Sequence, residues 1–240
     1  MSESTVLHRS FYSPSLGKEK RYCIYLPPSY GYNHNARFST VYLLPGLMDY
    51  EVTWFEKGHV QQHMDNLIYS GQIGEMIVVS ADKDDTALGK GQDSYAFAEY
   101  LARDLKGHID YEFRTIPVRE HTAIEGLSLG ASWAVRMGIN YPELYSSIGA
   151  LSGGFGDDVY GTIWEKQDYL RSLGMRFRVG VGAWEPEFIP GNEKFVHFMN
   201  DLGFYCEFEC SEGPHDWPLW EQQINNSLKF HYYSFNPVHV

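Results

Sequence analysis

The stretch "IEGLSLGAS", residues 124–132, carries a serine, Ser128, with glycine two positions to either side, Gly126 and Gly130. G-x-S-x-G is the pattern of a serine held on a sharp strand-to-helix turn, where a Cβ at either flanking position would clash. Such a serine attacks a carbonyl only when a base takes its proton and an acid steadies that base. Backbone N–H groups must also receive the oxyanion. The chain offers a candidate for each part. His215, in "SEGPHDWPLW", is the base. Ahead of it, "GAWEPEFIPGNEKF" contains no aspartate, so the acid is Glu185 or Glu187. Glu185 ranks first because it is nearer the preceding strand, and Glu193 is expected in the first turn of the following helix. Leu129, next to the serine, should give one oxyanion N–H. The loop after "VYLLPG" should give the other, from Leu47 or, as the alternate, Met48.

These residues act together only if the fold gathers them. "FSTVYLLPG", "EMIVVSAD" and "HTAIEGLSLG" are apolar runs of strand length, the mark of a sheet covered on both faces. "RSFYSPS" and "KRYCIYLPP" read as two earlier strands, and "YSSIGALSGG", "RFRVGVG" and "YCEFECSEG" as three later ones. Between them, "VQQHMDNLIYSG", residues 95–111, "ASWAVRMGINYP", "TIWEKQDYLRSLG" and "NEKFVHFMNDLG" have helical spacing, as does the closing "WEQQINNSLKFHYY". The alternation predicts a single α/β domain over residues 1–240, with a mostly parallel central sheet and helices on both faces. Ligands of such sheets sit at the carboxyl ends of the strands, where all the candidates fall.

A formal net charge of −12 over 240 residues argues against nucleic acid and against an anionic membrane surface. No apolar run reaches the roughly 18 residues that span a bilayer, and the first 20 residues lack the apolar core of a secretory signal. Three cysteines, Cys23, Cys206 and Cys210, are too few for a disulfide framework, so buried free thiols in a cytoplasmic protein are expected. His59 and His63 have the spacing of a metal pair, but no third ligand accompanies them. Trp54, Trp184, Trp217 and Trp220 all lie beside the proposed catalytic loops and are expected to line a substrate cleft.

The segments "YLLPGLMDYEVTW", "GEMIVVSAD", "HTAIEGLSLGASWAVRMGINYPELYSSIGALSGG" and "EGPHDWPLW" resemble the α/β-hydrolase esterases of the esterase D / feruloyl esterase type. That group includes S-formylglutathione hydrolases and mycolyltransferases, and the resemblance runs from about residue 20 to about residue 230. It implies an α/β-hydrolase fold and a triad that falls on Ser128, His215 of the G-x-H-x-W segment and, counting from Gly182, Glu185. Three positions depart from the family pattern. Pro45 precedes Gly46 where the family has histidine, Ala131 replaces a second glycine, and the acid is glutamate rather than aspartate. Short loops leave little material for a lid. The expected activity is a serine carboxylesterase for short-chain or aromatic acyl esters, with no cofactor or metal. Acyl transfer by the same triad and a non-catalytic binding protein on the same fold are the alternatives. The expected partner is a small-molecule ester, with neither nucleic acid nor membrane, and a homo-oligomer stays open.

Overall fold

Eight strands form one sheet in a computed structural model that describes residues 3–88 and 91–236. The remaining positions of the expected 1–240 domain lie outside the described residues. In chain order the strands are β1 (Thr5–Ser13), β2 (Lys18–Leu26), β3 (Ser39–Leu44), β4 (Met76–Ala81), β5 (Thr122–Leu127), β6 (Ser147–Leu151), β7 (Arg176–Gly182) and β8 (Tyr205–Ser211). They lie side by side as β1-β2-β4-β3-β5-β6-β7-β8. β1 and β2 form an antiparallel hairpin, β2 meets β4 antiparallel, and every other neighbouring pair is parallel. This is the mostly parallel sheet of an α/β-hydrolase.

The central strands are apolar because they are covered twice. Every residue of β3, β4, β5 and β6 is buried, and alternate side chains enter different cores. Tyr42 and Leu44 of β3 join the cluster that contains Phe97, Ala134, Ile163 and Phe195, whereas Val41 and Leu43 join that of Met64, Trp54, Ile224 and Leu228. The first face is covered by α3 (Gln92–Glu99), α4 (Lys106–Glu112), α5 (Leu129–Asn140), α6 (Asp157–Ser172) and α7 (Ile189–Asp201). The second is covered by the one-turn α1 (Thr53–Glu56), α2 (Val60–Tyr69) and α8 (Trp217–Phe235).

Two details differ from the sequence reading. The helix expected over residues 95–111 runs from 92 to 112, and its middle, Tyr100–Leu105, is wound as a π-helix. Tyr100, Leu101, Ala102 and Leu105 of this wider turn are buried against the first core. Of the three thiols, Cys23 is buried and Cys206 half-buried, but Cys210 is exposed, because it lies on the edge strand β8.

Glu125 of β5 and His231 of α8 make a fully buried pair beneath the sheet, with Oε2 2.7 Å from Nε2 and 0% exposure for both side chains. Nδ1 of the same imidazole lies 2.8 Å from Ser147 Oγ of β6. The three groups tie the last helix to the two strands beside it. His231→Leu would leave a carboxylate buried without its partner, and a loss of about 3–5 kcal/mol is expected in urea unfolding.

Candidate active site

Ser128 follows β5 directly and opens α5. Its backbone, φ 53° and ψ −116°, is one that L-residues rarely adopt, at a cost on the order of 1–3 kcal/mol. The surroundings hold it there. Ser128 N–H donates to Leu151 O at the end of β6, 2.8 Å away. A Cβ on Gly126 would strike the Gly130 carbonyl and come within 2.8 Å of Ala131 N, and one on Gly130 would meet Pro45 O at 2.6 Å. Both flanking glycines are therefore required by close backbone approach. A Cβ on Gly46 would overlap Leu127 Cδ1 at 2.7 Å and stand 3.6 Å from Ser128 Cβ, which places the loop after β3 beside the serine.

His215 comes from the loop between β8 and α8, and its Nε2 is 3.0 Å from Ser128 Oγ. Its ring is clamped, stacked on Phe188 at 4.3 Å and edge-on to Trp220 at 4.9 Å. Nδ1 of His215 meets Oε1 of Glu185. The Glu185 side chain is 0% exposed, and its second oxygen accepts from Ser152 Oγ at 2.8 Å and from the Gly182 N–H. The loops that bring acid and base together are themselves joined, since Ala183 N–H donates to Ser211 O at 2.7 Å and Trp184 N–H to Gly213 O at 3.1 Å. Glu187 is exposed. Glu193 lies beyond the first turn of α7, which contains no acidic residue, because that helix starts at Ile189, earlier than the sequence pattern indicated.

Leu47 and Met48 stand in the loop after β3, 43% and 83% exposed. Leu129 is the first residue of α5, so its N–H has no acceptor within the helix. A cleft of about 420 Å³ opens over Ser128 and His215, walled by Leu47, Met48, Trp217 and Trp220. The structure thus brings Ser128, His215, Leu47, Met48 and Trp217 around one space, with Glu185 buried behind His215 and Leu129 next to Ser128 at the start of α5.

Two expected cleft residues are corrected. Trp54 is 0% exposed and packs edge-on beneath Trp217 at 5.2 Å, so it supports the wall without lining it. Trp184 is 62% exposed and is not among the cleft-lining residues, because its backbone follows the acid loop past Gly213. His59 and His63 both face Glu221 of α8, at 2.8 and 3.8 Å, and so join α2 to α8.

Ser152 was not singled out from the sequence. It ends β6 as Ser128 ends β5, again with φ 53°, and its N–H donates to Gly180 O of the next strand at 2.7 Å. Its hydroxyl accepts from Trp220 Nε1 at 3.1 Å while donating to Glu185. The available signal was its position, the first residue after a buried parallel strand, where the sheet places its ligands.

Similarity to known proteins agrees with the fold. Residues 13–231 match the family described as Putative esterase. The endo-1,4-β-xylanase/feruloyl esterase of Xylanibacter ruminicola is 29% identical over 222 residues, which is 89% of this chain and 29% of that longer protein. A ferulic acid esterase of known structure shares the fold with a TM-score of 0.88 at 23% identity, covering 98% of this chain and 100% of the other. The ferulic acid esterase of Anaeromyces mucronatus, solved in complex with ferulic acid, gives 0.81 at 21% identity, over 98% of this chain and 93% of that one. With an α/β-hydrolase sheet and a serine elbow inside the matched span, this chain belongs to the Putative esterase family.

Proposed function

We propose that this chain is a carboxylesterase that cleaves short-chain or aromatic acyl esters through an acyl-enzyme on Ser128. The observation that carries the reading is the 3.0 Å approach of His215 Nε2 to a serine Oγ raised on a strained elbow, with buried Glu185 behind the imidazole. Glu185 fixes the tautomer with the proton on Nδ1, so that Nε2 is free to accept from Oγ. As Oγ bonds to the ester carbon, its proton passes to Nε2, and Glu185 stabilises the imidazolium. The carbonyl oxygen, now negative, is received by the N–H of Leu129 and by that of Leu47 or Met48. The C–O bond to the alcohol then breaks and Nε2 protonates the departing oxygen. Water, deprotonated by the same nitrogen, frees the acid and restores Ser128.

The acyl group is assigned to the wall of Leu47, Met48 and Trp217, an apolar surface open enough for a flat aromatic chain. The ferulic acid esterases among the similar proteins favour an aromatic acyl group within that range. The cytoplasmic placement rests on three cysteines that carry no disulfide, and no helix among the described residues is long and apolar enough to cross a membrane.

The test is a panel of p-nitrophenyl esters, acetyl, butyryl, octanoyl and feruloyl, together with a fluorophosphonate probe. The expected result is turnover of the acetyl, butyryl and feruloyl esters, slower turnover of the octanoyl ester, and one equivalent of probe on Ser128. A folded protein that hydrolyses none of the esters and stays unlabelled would end this reading.

A further inference from the structure

The loop that carries Leu47 and Met48 has to hold its amides still, yet it begins at Pro45, which has no N–H with which to anchor itself. Its anchors come from elsewhere. Gly46 O accepts from Asp49 N at 3.2 Å, closing a turn within the loop. The Asp49 carboxylate accepts from Trp217 Nε1 at 3.0 Å, which ties the far side of the loop to α8. The remaining carbonyl, Leu47 O, accepts from Lys83 Nζ in the loop after β4.

Lys83 is half-buried and lines a small apolar pocket together with Leu44, Pro45 and Leu129. Its ammonium sits 5.5 Å over the Tyr50 ring. The acids on either side of it do not compete for that charge. Asp82 is 2.8 Å from Lys20 Nζ, and Asp84 is 2.7 Å from Lys18 and 3.2 Å from Lys20. Burial alone would raise the Asp84 carboxyl, but hydrogen bonds from Lys18 and Thr86 and the charge of Lys20 outweigh it and hold Asp84 well below the usual carboxylate range. Lys20 Nζ also donates to Lys83 O at 2.6 Å, which fixes the backbone from which the Lys83 side chain reaches across.

From this geometry we infer that Lys83 is a positioning residue for the oxyanion site. A peptide unit is planar, with its C=O and N–H antiparallel. Holding Leu47 O by an ammonium therefore fixes the plane of the Leu47–Met48 peptide and the direction of the Met48 N–H. With Gly46 O held as well, the peptide that carries the Leu47 N–H is fixed from its other side. A cation on the carbonyl also polarises the peptide and makes its N–H a stronger donor to developing negative charge. The inference rests on the esterase reading above and deepens it, since it names what aligns the loop in the absence of a histidine at position 45.

The test compares Lys83→Met, which keeps the length and removes the charge, with Lys83→Arg, which keeps a donor. Lys83→Met is expected to lower kcat on p-nitrophenyl butyrate roughly 10- to 30-fold with KM within two-fold, less than the loss of a whole oxyanion donor. Affinity for a boronic acid, whose adduct on Ser128 is tetrahedral, should fall by a similar factor while Tm stays close to that of the wild type. Lys83→Arg should recover most of both quantities. If Lys83→Met kept kcat and boronate affinity within two-fold of wild type, or if Lys83→Arg lost as much as Lys83→Met, Lys83 would have no positioning role. Failure of the esterase reading itself would look different, because the wild-type protein would then be inactive on the same ester.

Discussion

Ser128→Ala should abolish ester hydrolysis, lowering kcat by roughly 10⁴–10⁶-fold, while the protein stays folded and still binds its ester. The physical argument has two halves. Alanine keeps the Cβ and therefore the same strained φ of 53°, and the 2.8 Å bond from the residue 128 N–H to Leu151 O involves no side chain. The elbow and its two obligatory glycines are left as they were, so thermal unfolding should hardly move. What disappears is the proposed nucleophile, the hydroxyl that lies 3.0 Å from His215 Nε2. The residual rate is then that of water attacking a carbonyl still polarised by the oxyanion amides. Stopped-flow measurement of the nitrophenol burst checks both halves, with one equivalent released at once by the wild type and none by the variant. A burst of normal size in Ser128→Ala would move the nucleophile to another residue.

The second large effect concerns the acid. Glu185→Gln should lower kcat by roughly 10³–10⁴-fold, even though glutamine has almost the same size. Two donors, Ser152 Oγ and the Gly182 N–H, converge on Oε2 of Glu185. An amide placed there must turn its oxygen towards them, which leaves its NH₂ facing His215 Nδ1. A nitrogen that faces a donor must accept, so the proton moves to Nε2. In that tautomer Nε2 cannot take the proton of Ser128 Oγ, 3.0 Å away. Glu187→Gln is the control, and its exposed side chain should leave kcat within about two-fold of wild type. Equal losses in the two variants would remove Glu185 from the role.

The fold was legible because the central strands are apolar along their whole length, as in "VYLLPG" and "EMIVVSAD", and each stops at a proline, glycine or acid where the chain turns. Once those ends were placed, the order serine, acid, histidine followed from the loops. Less could be read where a contact depends on the path of a side chain. Trp54 and Trp217 look alike in sequence, each beside a catalytic loop, and only the packing of α1 under α8 buries one beneath the other. Ser152 has no motif, since its role depends on Glu185 reaching back across the end of β7. Lys83 is 36 residues from the carbonyl it holds, a separation that no local pattern encodes. The choice between Glu185 and Glu187 turned on loop curvature, and the hydrogen bond from Glu185 N to Gly182 O, at 3.1 Å, turns the first of them inward.

Trp220 ends with an unequal share of the cleft. Its ring lies against His215 at 4.9 Å while its indole N–H reaches Ser152, which in turn holds Glu185. A change at that position would disturb base and acid together. Met48, on the loop after β3, is 83% exposed. The pocket therefore has one wall that is fixed by the chemistry and one that is free to drift. If the acyl group lies on the Leu47–Met48 wall as proposed, side-chain changes there are expected to shift acyl preference while Ser128, His215 and Glu185 keep their arrangement.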